Sequence, residues 1–525
     1  MPRILIADPI DAIGREILER SGAEVHQVSD DERPRLAELL PGYDALVVRS
    51  MTRVTRELLA GAEGLKVIGR AGIGVDNVDV AAATERGILV VNAPTANVLS
   101  ATEHTFALLL ALARRVPAAD ASMKAGAWDR KSFVGSELHG KTLGVVGFGR
   151  IGQRVAARAR AFEMQVVAHD PFLDPSLARR LEVELLPLDD LLRRSDVVTL
   201  HTPLTDHTRN LVDARRIALM KPGALLVNAG RGGTLDEEAL LAALEEGRLG
   251  GAALDVFAHE PPVDRRLAEH PRVVATPHIG AQTREAQERI ATETSRMVLA
   301  ALDGSLAVTA VNLPFASTGT RGEPYLSLGE HVGRLAGALV DGALTRVEVD
   351  LWGIEEGLRR PLAVAVVKGV LTPFLGEAVN YVNAERVAEA RGIEVVSSSH
   401  SRSPDYPHLV GVRLATGTGE PVEIAGTLFG ERDPRIVRFA GFRLEFRPSG
   451  LLLVLRNLDV PGVVGKLGSL LGDAGVNIAD IHLARRDEER EALAVLRLDG
   501  RLPEEVLERL RGLPEVREAR VLELD

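Results

Sequence analysis

The 525-residue chain contains no cysteine. That excludes disulfides, thiolate metal ligands and cysteine nucleophiles, and suits a reducing compartment. Aromatic residues are scarce, at 3%, so the cores are expected to be built from Val, Leu, Ile and Ala. A basic face is also missing. The 74 acidic residues outnumber the 63 basic ones for a net charge of −11, with the two signs interleaved. This removes the electrostatic attraction that nucleic acid binding needs and leaves small anions to be caught by local arginines. The longest apolar stretch near a helix, Phe106 to Ala113, is far short of the roughly 18 residues of a membrane span. The opening MPRILIADPIDAIG lacks the charged-then-apolar pattern of a signal peptide. The expectation is a cytoplasmic protein without metal, membrane or nucleic-acid partners.

What is present is too long for one core, and a prior of about 150 residues per domain suggests three or four domains. Short apolar runs at Ile4–Ala7, Ala45–Arg49, Leu65–Gly69 and Ile88–Asn92 alternate with helical patterns, the rhythm of a parallel sheet. A second α/β series begins at Thr142 and runs through 165–169, 196–200, 224–228, 252–255 and 273–276. A Glu/Ala/Arg helix is expected over Gln282–Leu302, and the α/β rhythm stops at Val311-Asn312-Leu313-Pro314. Residues 315–450 mix helical segments (328–339, 381–391) with strands (346–351, 409–414, 423–428) and carry no motif. In that stretch, SSSHSRSPDYPH, with His400 and Arg402, reads as a solvated loop. The last segment has the order β-α-β-β-α-β, which is ferredoxin-like.

Gly147, Gly149 and Gly152 stand in G-x-G-x-x-G spacing after the strand beginning at Thr142, ahead of an Arg/Ala helix and a second strand ending at Asp170. With that whole context the motif predicts a dinucleotide site. The glycines allow a tight turn and close backbone approach, the helix N-terminus faces the pyrophosphate, and Asp170 accepts ribose hydroxyls, favouring NAD over NADP.

Three chemically suited residues follow the later strands of this series: Arg231 in LLVNAGRGG, Glu260 in LDVFAHEPP and His278 in VVATPHIG. Hydride transfer from a secondary alcohol needs a base for the hydroxyl proton, which histidine supplies near neutral pH. A neighbouring carboxylate, Glu260, is expected to raise the histidine pKa. Arginine clamps a planar carboxylate and polarises the adjacent keto oxygen.

Through VVRSMTRVT, GRAGIGVDNVD, GAWDRKSF, NAGRGG, ALDVFAHEPP and TPHIGA, residues Met1 to about Pro314 resemble the D-isomer-specific 2-hydroxyacid dehydrogenase family. The whole chain is similar to its long members, which oxidise 3-phosphoglycerate. The resemblance implies a flavodoxin-like substrate-binding domain (1–98 with 282–314), a Rossmann NAD-binding domain (99–281), an intervening α+β domain (315–449) and a ferredoxin-like ACT regulatory domain (450–525). It implies that Arg231, Glu260 and His278 are catalytic, and that Arg150, Ile151, Asp170, Thr202, Ala229, Gly230, Arg231, Asp255, His278, Gly280 and Ala281 join the three glycines around NAD. Arg49, Ser50, Arg70, Gly72, Asn97 and Arg130 line the implied substrate side, and Ile73 stands where some relatives carry threonine. Independently, a substrate with both a carboxylate and a phosphate needs several cations, which the arginines can supply.

The tail RNLDVPGVVGKLGSLLGDAGVNIADI resembles an ACT domain in which Asn457, Asp459 and Asn477 would hold L-serine between subunits. The expectation is an NAD-dependent oxidoreductase of the phosphorylated route to serine, allosteric and a homo-oligomer, dimer or tetramer. Two alternatives stand beside it: a dehydrogenase of another 2-hydroxy or 2-keto acid such as 2-oxoglutarate, and an NADH-sensing scaffold without turnover.

Overall fold

The computed structural model describes residues 1–524 except 307–308, 317, 404, 418–419 and 487–489. Two parallel sheets come first. One has five strands in the spatial order Glu24–Gln27, Arg3–Ile6, Ala45–Val48, Val67–Arg70, Leu89–Asn92. Numbered along the chain this is 2-1-3-4-5, the flavodoxin-like arrangement. The other has seven: Val273–Ala275, Gly251–Leu254, Leu225–Asn228, Val197–Leu200, Thr142–Val146, Gln165–His169, Glu184–Leu185. Its topological switch point falls between Thr142–Val146 and Val197–Leu200, where ligands of such sheets bind at the carboxyl ends of the strands.

Both sheets carry apolar clusters on their two faces, so their strands read as nearly continuous Val/Leu/Ile/Ala runs. Strands Glu24–Gln27 and Glu184–Leu185 escape the sequence reading because they are short and polar edge strands with little to bury. The chain passes between the two units twice. Helix Val98–Arg114 leads into the second, and helix Arg284–Leu302 returns to lie on the first. The returning helix packs closely because Gly69 has no side chain: a Cβ there would stand 2.5 Å from a methyl of Val298.

The remaining chain forms a six-stranded mixed sheet, Glu394–His400, Leu344–Trp352, Leu409–Thr416, Val422–Phe429, Asp433–Phe439, Phe442–Phe446, and a four-stranded antiparallel sheet, Ile478–Arg486, Glu491–Leu498, Gly450–Leu458, Val516–Leu524. Two 20-residue helices, Gly319–Ala338 and Glu356–Leu375, pack on the six-stranded sheet. The second was not anticipated: Pro361 and Pro373 and a Val-rich run disguise it. It is long and apolar enough to cross a membrane, which overturns the expectation that no such segment exists. Residues Pro361 to Val367 are buried without interruption, the signature of a helix covered all round by protein. Gly333, Gly337 and Gly369 let the helix pair approach backbone to backbone, since a Cβ at each would fall 2.1–2.3 Å from a carbonyl oxygen of the facing helix.

The predicted loop at His400 is also corrected. Residues 397–400 close the strand Glu394–His400, with His400 stacked on Trp352 at 5.0 Å between ring centroids and 3.1 Å from Asp350. Helices Val463–Asp473 and Glu504–Arg511 cover one face of the four-stranded sheet. The other face lies against the preceding unit, and Leu452, Val454, Val495 and Leu522 belong to the same apolar cluster as Val347, Leu362 and Phe439.

Candidate active site

Arg231, Glu260 and His278 follow three adjacent strands of the seven-stranded sheet: Leu225–Asn228, Gly251–Leu254 and Val273–Ala275. The expected partnership is present, with His278 Nδ1 2.7 Å from Glu260 Oε2. Both side chains are partly open, 46% and 38% exposed, as groups that must reach a substrate are. The other oxygen of Glu260 accepts the Phe257 N–H at 3.1 Å, and Glu237 accepts the Ala258 N–H at 2.5 Å, so the Glu260 loop is held from within. With Nδ1 committed, Nε2 of His278 is the nitrogen free to exchange a proton.

Arg231 sits between glycines because the loop is crowded. A Cβ on Gly232 would fall 1.8 Å from the Phe257 carbonyl oxygen, and one on Gly74 would fall 2.0 Å from an Arg231 terminal nitrogen. The guanidinium donates to the Gly230 carbonyl at 2.8 Å and through Nε to Asp76 of the first unit at 3.0 Å. Arg231 therefore spans the cleft between the two α/β units.

Across that cleft, Arg49 and Arg70 end strands of the five-stranded sheet. Asp8, fully buried, fixes the Arg49–Thr52 loop by accepting the Arg49 N–H at 2.7 Å and the Thr52 N–H at 3.0 Å, with Arg33 and the Thr52 hydroxyl on its other oxygen. Burial alone would push its carboxyl up, but these bonds outweigh burial and hold it below the usual range. Asn77 clips the same loop through the Arg49 and Thr52 carbonyls, each at 2.6 Å. Burial, reinforced by Arg231 and Arg49, pushes the Arg70 guanidinium down to about 10, with Asp76 and Asp8 opposing. Three cations forced together in this way form a receptor for an anion. Gly72 lies against the Arg70 guanidinium, and the Ile73 carbonyl accepts from Asn92 at 2.6 Å. Ser50 is exposed beside Arg49, and Asn97 caps helix Val98–Arg114 with a buried side-chain oxygen that has no partner.

The dinucleotide loop has the form NAD requires. Gly147 takes a positive φ of 87°, and a Cβ on Gly152 would fall 2.2 Å from the Gly147 carbonyl oxygen. A Cβ on Gly149 would meet nothing within 4 Å, leaving open space above the uncapped start of helix Arg150–Ala161. Asp170 is aimed by the Phe148 N–H at 2.8 Å and the Phe172 N–H at 3.0 Å. On the far side of the switch point, the Thr202 hydroxyl and His201 Nδ1 are buried without a partner. Burial pushes the His201 ring down to about 4, so it is neutral. These unspent polar atoms beside an open glycine fit a bound dinucleotide. Arg150 is exposed on the helix, Ile151 packs into the apolar cluster behind it, and Ala229 and Gly230 line the next strand end.

Asp255 is turned inward, 1% exposed, with its oxygens spent on Thr276, Ile279 N–H and Gly280 N–H. Its carboxylate holds the His278 turn. Gly280 is buried beside it, and Ala281 packs with Ala71, Ala93 and Ala96. Arg130 is exposed on a loop tied by Arg115 and Ala113 to the far end of helix Val98–Arg114. Asp8, Asp76, Asn77 and His104 were missed by sequence reasoning. Only Asp8, an acid closing an apolar strand, left a signal that burial alone could have decoded.

Comparison with known proteins gives three family matches: D-isomer specific 2-hydroxyacid dehydrogenase, NAD binding domain, over residues 106–280; D-3-phosphoglycerate dehydrogenase intervening domain over 322–440; and ACT domain over 451–515. The chain is 42% identical over 528 residues to a D-3-phosphoglycerate dehydrogenase of Methanocaldococcus jannaschii, covering 100% of both. It is 43% identical over 513 residues to that of Mycobacterium tuberculosis, covering 96% of both. Among solved structures, the TT0316 protein of Thermus thermophilus aligns with a TM-score of 0.55 at 40% identity, over 59% of this chain and 99% of that one. A D-lactate dehydrogenase of Aquifex aeolicus, complexed with NAD and lactic acid, aligns with a TM-score of 0.53 at 31% identity, over 58% and 96%.

Proposed function

The chain belongs to the D-3-phosphoglycerate dehydrogenases of the D-isomer-specific 2-hydroxyacid dehydrogenase family, and from that membership we propose that Arg231, Glu260 and His278 carry the oxidation of 3-phospho-D-glycerate to 3-phosphohydroxypyruvate. It is an NAD-dependent oxidoreductase. The observation that supports the residue roles best is the His278–Glu260 pair at 2.7 Å on the sheet that also carries Arg231, whose guanidinium reaches across the cleft to Asp76 and acts on Arg70.

When bound, NAD would supply the hydride acceptor, and Gly147, Gly149, Gly152, Asp170 and Thr202 are the residues that would hold it. His278 Nε2 takes the proton of the substrate 2-hydroxyl as the hydride leaves its carbon, and Glu260 stabilises the imidazolium that results. Arg231 binds the substrate carboxylate and polarises the oxygen that becomes the ketone. Arg49 and Arg70, with Ser50, Gly72 and Asn97 around them, hold the phosphate end. In the reverse direction the same histidine returns the proton. The direct test is NADH formation on mixing protein, NAD and 3-phosphoglycerate. A rate as high with 2-oxoglutarate or D-lactate as with the phosphorylated acid would overturn the substrate assignment.

The domain boundaries at 98, 282, 314 and 449 belong to this reading, as do a cytoplasmic location, a place at the head of the phosphorylated serine route and a homo-oligomeric state. So does L-serine as effector. Asn457 has a buried, unpaired side-chain oxygen, Asp459 lies 3.5 Å from Arg485, and Asn477 donates to Asp499 at 2.6 Å. An acceptor amide near the end of strand Gly450–Leu458 and a carboxylate just beyond it suit an ammonium group. Titrating serine against the initial rate is expected to give saturable inhibition that Asp459→Ala abolishes. A flat response removes all three residues from the effector role.

A further inference from the structure

Helix Val98–Arg114 contributes one side chain to the catalytic turn that no role above uses. His104 is largely buried, and its Nε2 lies 3.1 Å from Thr276 Oγ1 and 3.1 Å from Asp255 Oδ1. The Thr276 hydroxyl donates its own proton to Asp255 Oδ1 at 2.6 Å, so both oxygens are acceptors for a single N–H on Nε2. Asp255 then gathers the turn. Its carbonyl accepts the His278 N–H, and its two carboxylate oxygens accept those of Ile279 and Gly280, each at 2.8 Å. Three successive backbone donors thus end on one residue.

That concentration answers a strain. His278 has φ +53°, a left-handed conformation that costs an L-residue about 1–2 kcal/mol and survives only where the surroundings over-determine it. Asp255 can impose it only as a carboxylate. Burial would push its carboxyl up, whereas the bonds from His104, Thr276 and Ile279 hold it down. The turn is also seated on the helix: a Cβ on Gly280 would lie 3.1 Å from Asp255 Oδ2, 3.9 Å from His104 Cδ2 and 4.0 Å from Ala101 Cα.

We propose that His104 is a positioning residue for the reaction, which fixes the His278 turn by donating from Nε2 to the Asp255–Thr276 pair and thereby sets the imidazole against the substrate. The proposal rests on His278 as the acid–base group. It places the reference point for that group on the helix that begins at Asn97, so the proton acceptor and the substrate side of the cleft share one rigid element.

The test compares His104→Leu with His104→Gln, whose amide Nε2 reaches about where the imidazole Nε2 does. His104→Leu is expected to lower kcat by about tenfold or more, as a displaced catalytic group does, with KM for NAD and the NADH dissociation constant within about twofold. His104→Gln is expected to recover most of kcat. Thr276→Val, which removes the shared hydroxyl, is expected to repeat the kcat loss and keeps the question open to measurement if His104→Leu fails to fold. A wild-type kcat in His104→Leu, a loss confined to KM, or a glutamine variant as slow as the leucine one would overturn the proposal. His278→Asn run in parallel separates the two readings: if it retains full rate, the acid–base assignment itself fails.

Discussion

Replacing His278 by asparagine is expected to lower kcat by about 10³-fold while NADH still binds with near-normal affinity. The magnitude follows from what a positioned acid–base group contributes, about 10²–10⁴ in rate, or roughly 4 kcal/mol of transition-state stabilisation for a thousandfold loss. Asparagine is a better probe than alanine because the residue sits at φ +53°, where asparagine is tolerated and alanine adds backbone strain. The glycine loop at Gly147 to Gly152 is contributed by other strands, so that part of the dinucleotide site has no reason to change. Stopped-flow NADH formation for the rate and NADH fluorescence for binding read the two separately. A variant with wild-type turnover would remove His278 from the chemistry, and one that no longer binds NADH would point to a disordered turn.

The second large effect is expected at Arg231. Arg231→Ala should lower kcat/KM for 3-phosphoglycerate by about 10²–10³-fold, since it removes a charge-assisted pair to the carboxylate and the polarisation of the developing ketone together. Arg231→Lys should recover only part of this, because a point charge cannot reproduce the planar fork. Asp76 complicates the picture in a useful way. Its carboxylate already occupies Nε at 3.0 Å, so the fork is aimed before substrate arrives, and the lysine variant loses that aim as well. Steady-state kinetics decide the matter: equal kcat/KM in the alanine variant would refute the assignment, and a loss confined to KM would make Arg231 a binding residue only.

Much of this was readable in advance, for identifiable reasons. The glycine spacing and the strand rhythm are local, and they name the dinucleotide loop before any coordinates exist. Arg231, Glu260 and His278 could be placed together because strand ends of a parallel sheet converge. What stayed hidden depends on contacts distant in sequence. The structural role of Asp255 was hidden, since nothing local says that a strand-terminal carboxylate will also accept the N–H groups of residues 279 and 280. His104 looked like one polar residue in an apolar helix, and its partner lies 172 positions away. The helix Glu356–Leu375 was obscured by its prolines, which the burial of its central residues between a helix and a sheet overrides.

The apolar cluster that joins Val347, Leu362 and Phe439 to Leu452, Val454, Val495 and Leu522 has a consequence for how the C-terminal 200 or so residues behave. Two modules that match separate families share one apolar core here. Severing the last four-stranded sheet from the six-stranded one would strand a greasy face in water, so melting of either part should drag the other with it. Any effector seated on the tail therefore acts on a single foldon, and its binding free energy is felt by the helix pair at 319–375 as directly as by the loop it touches.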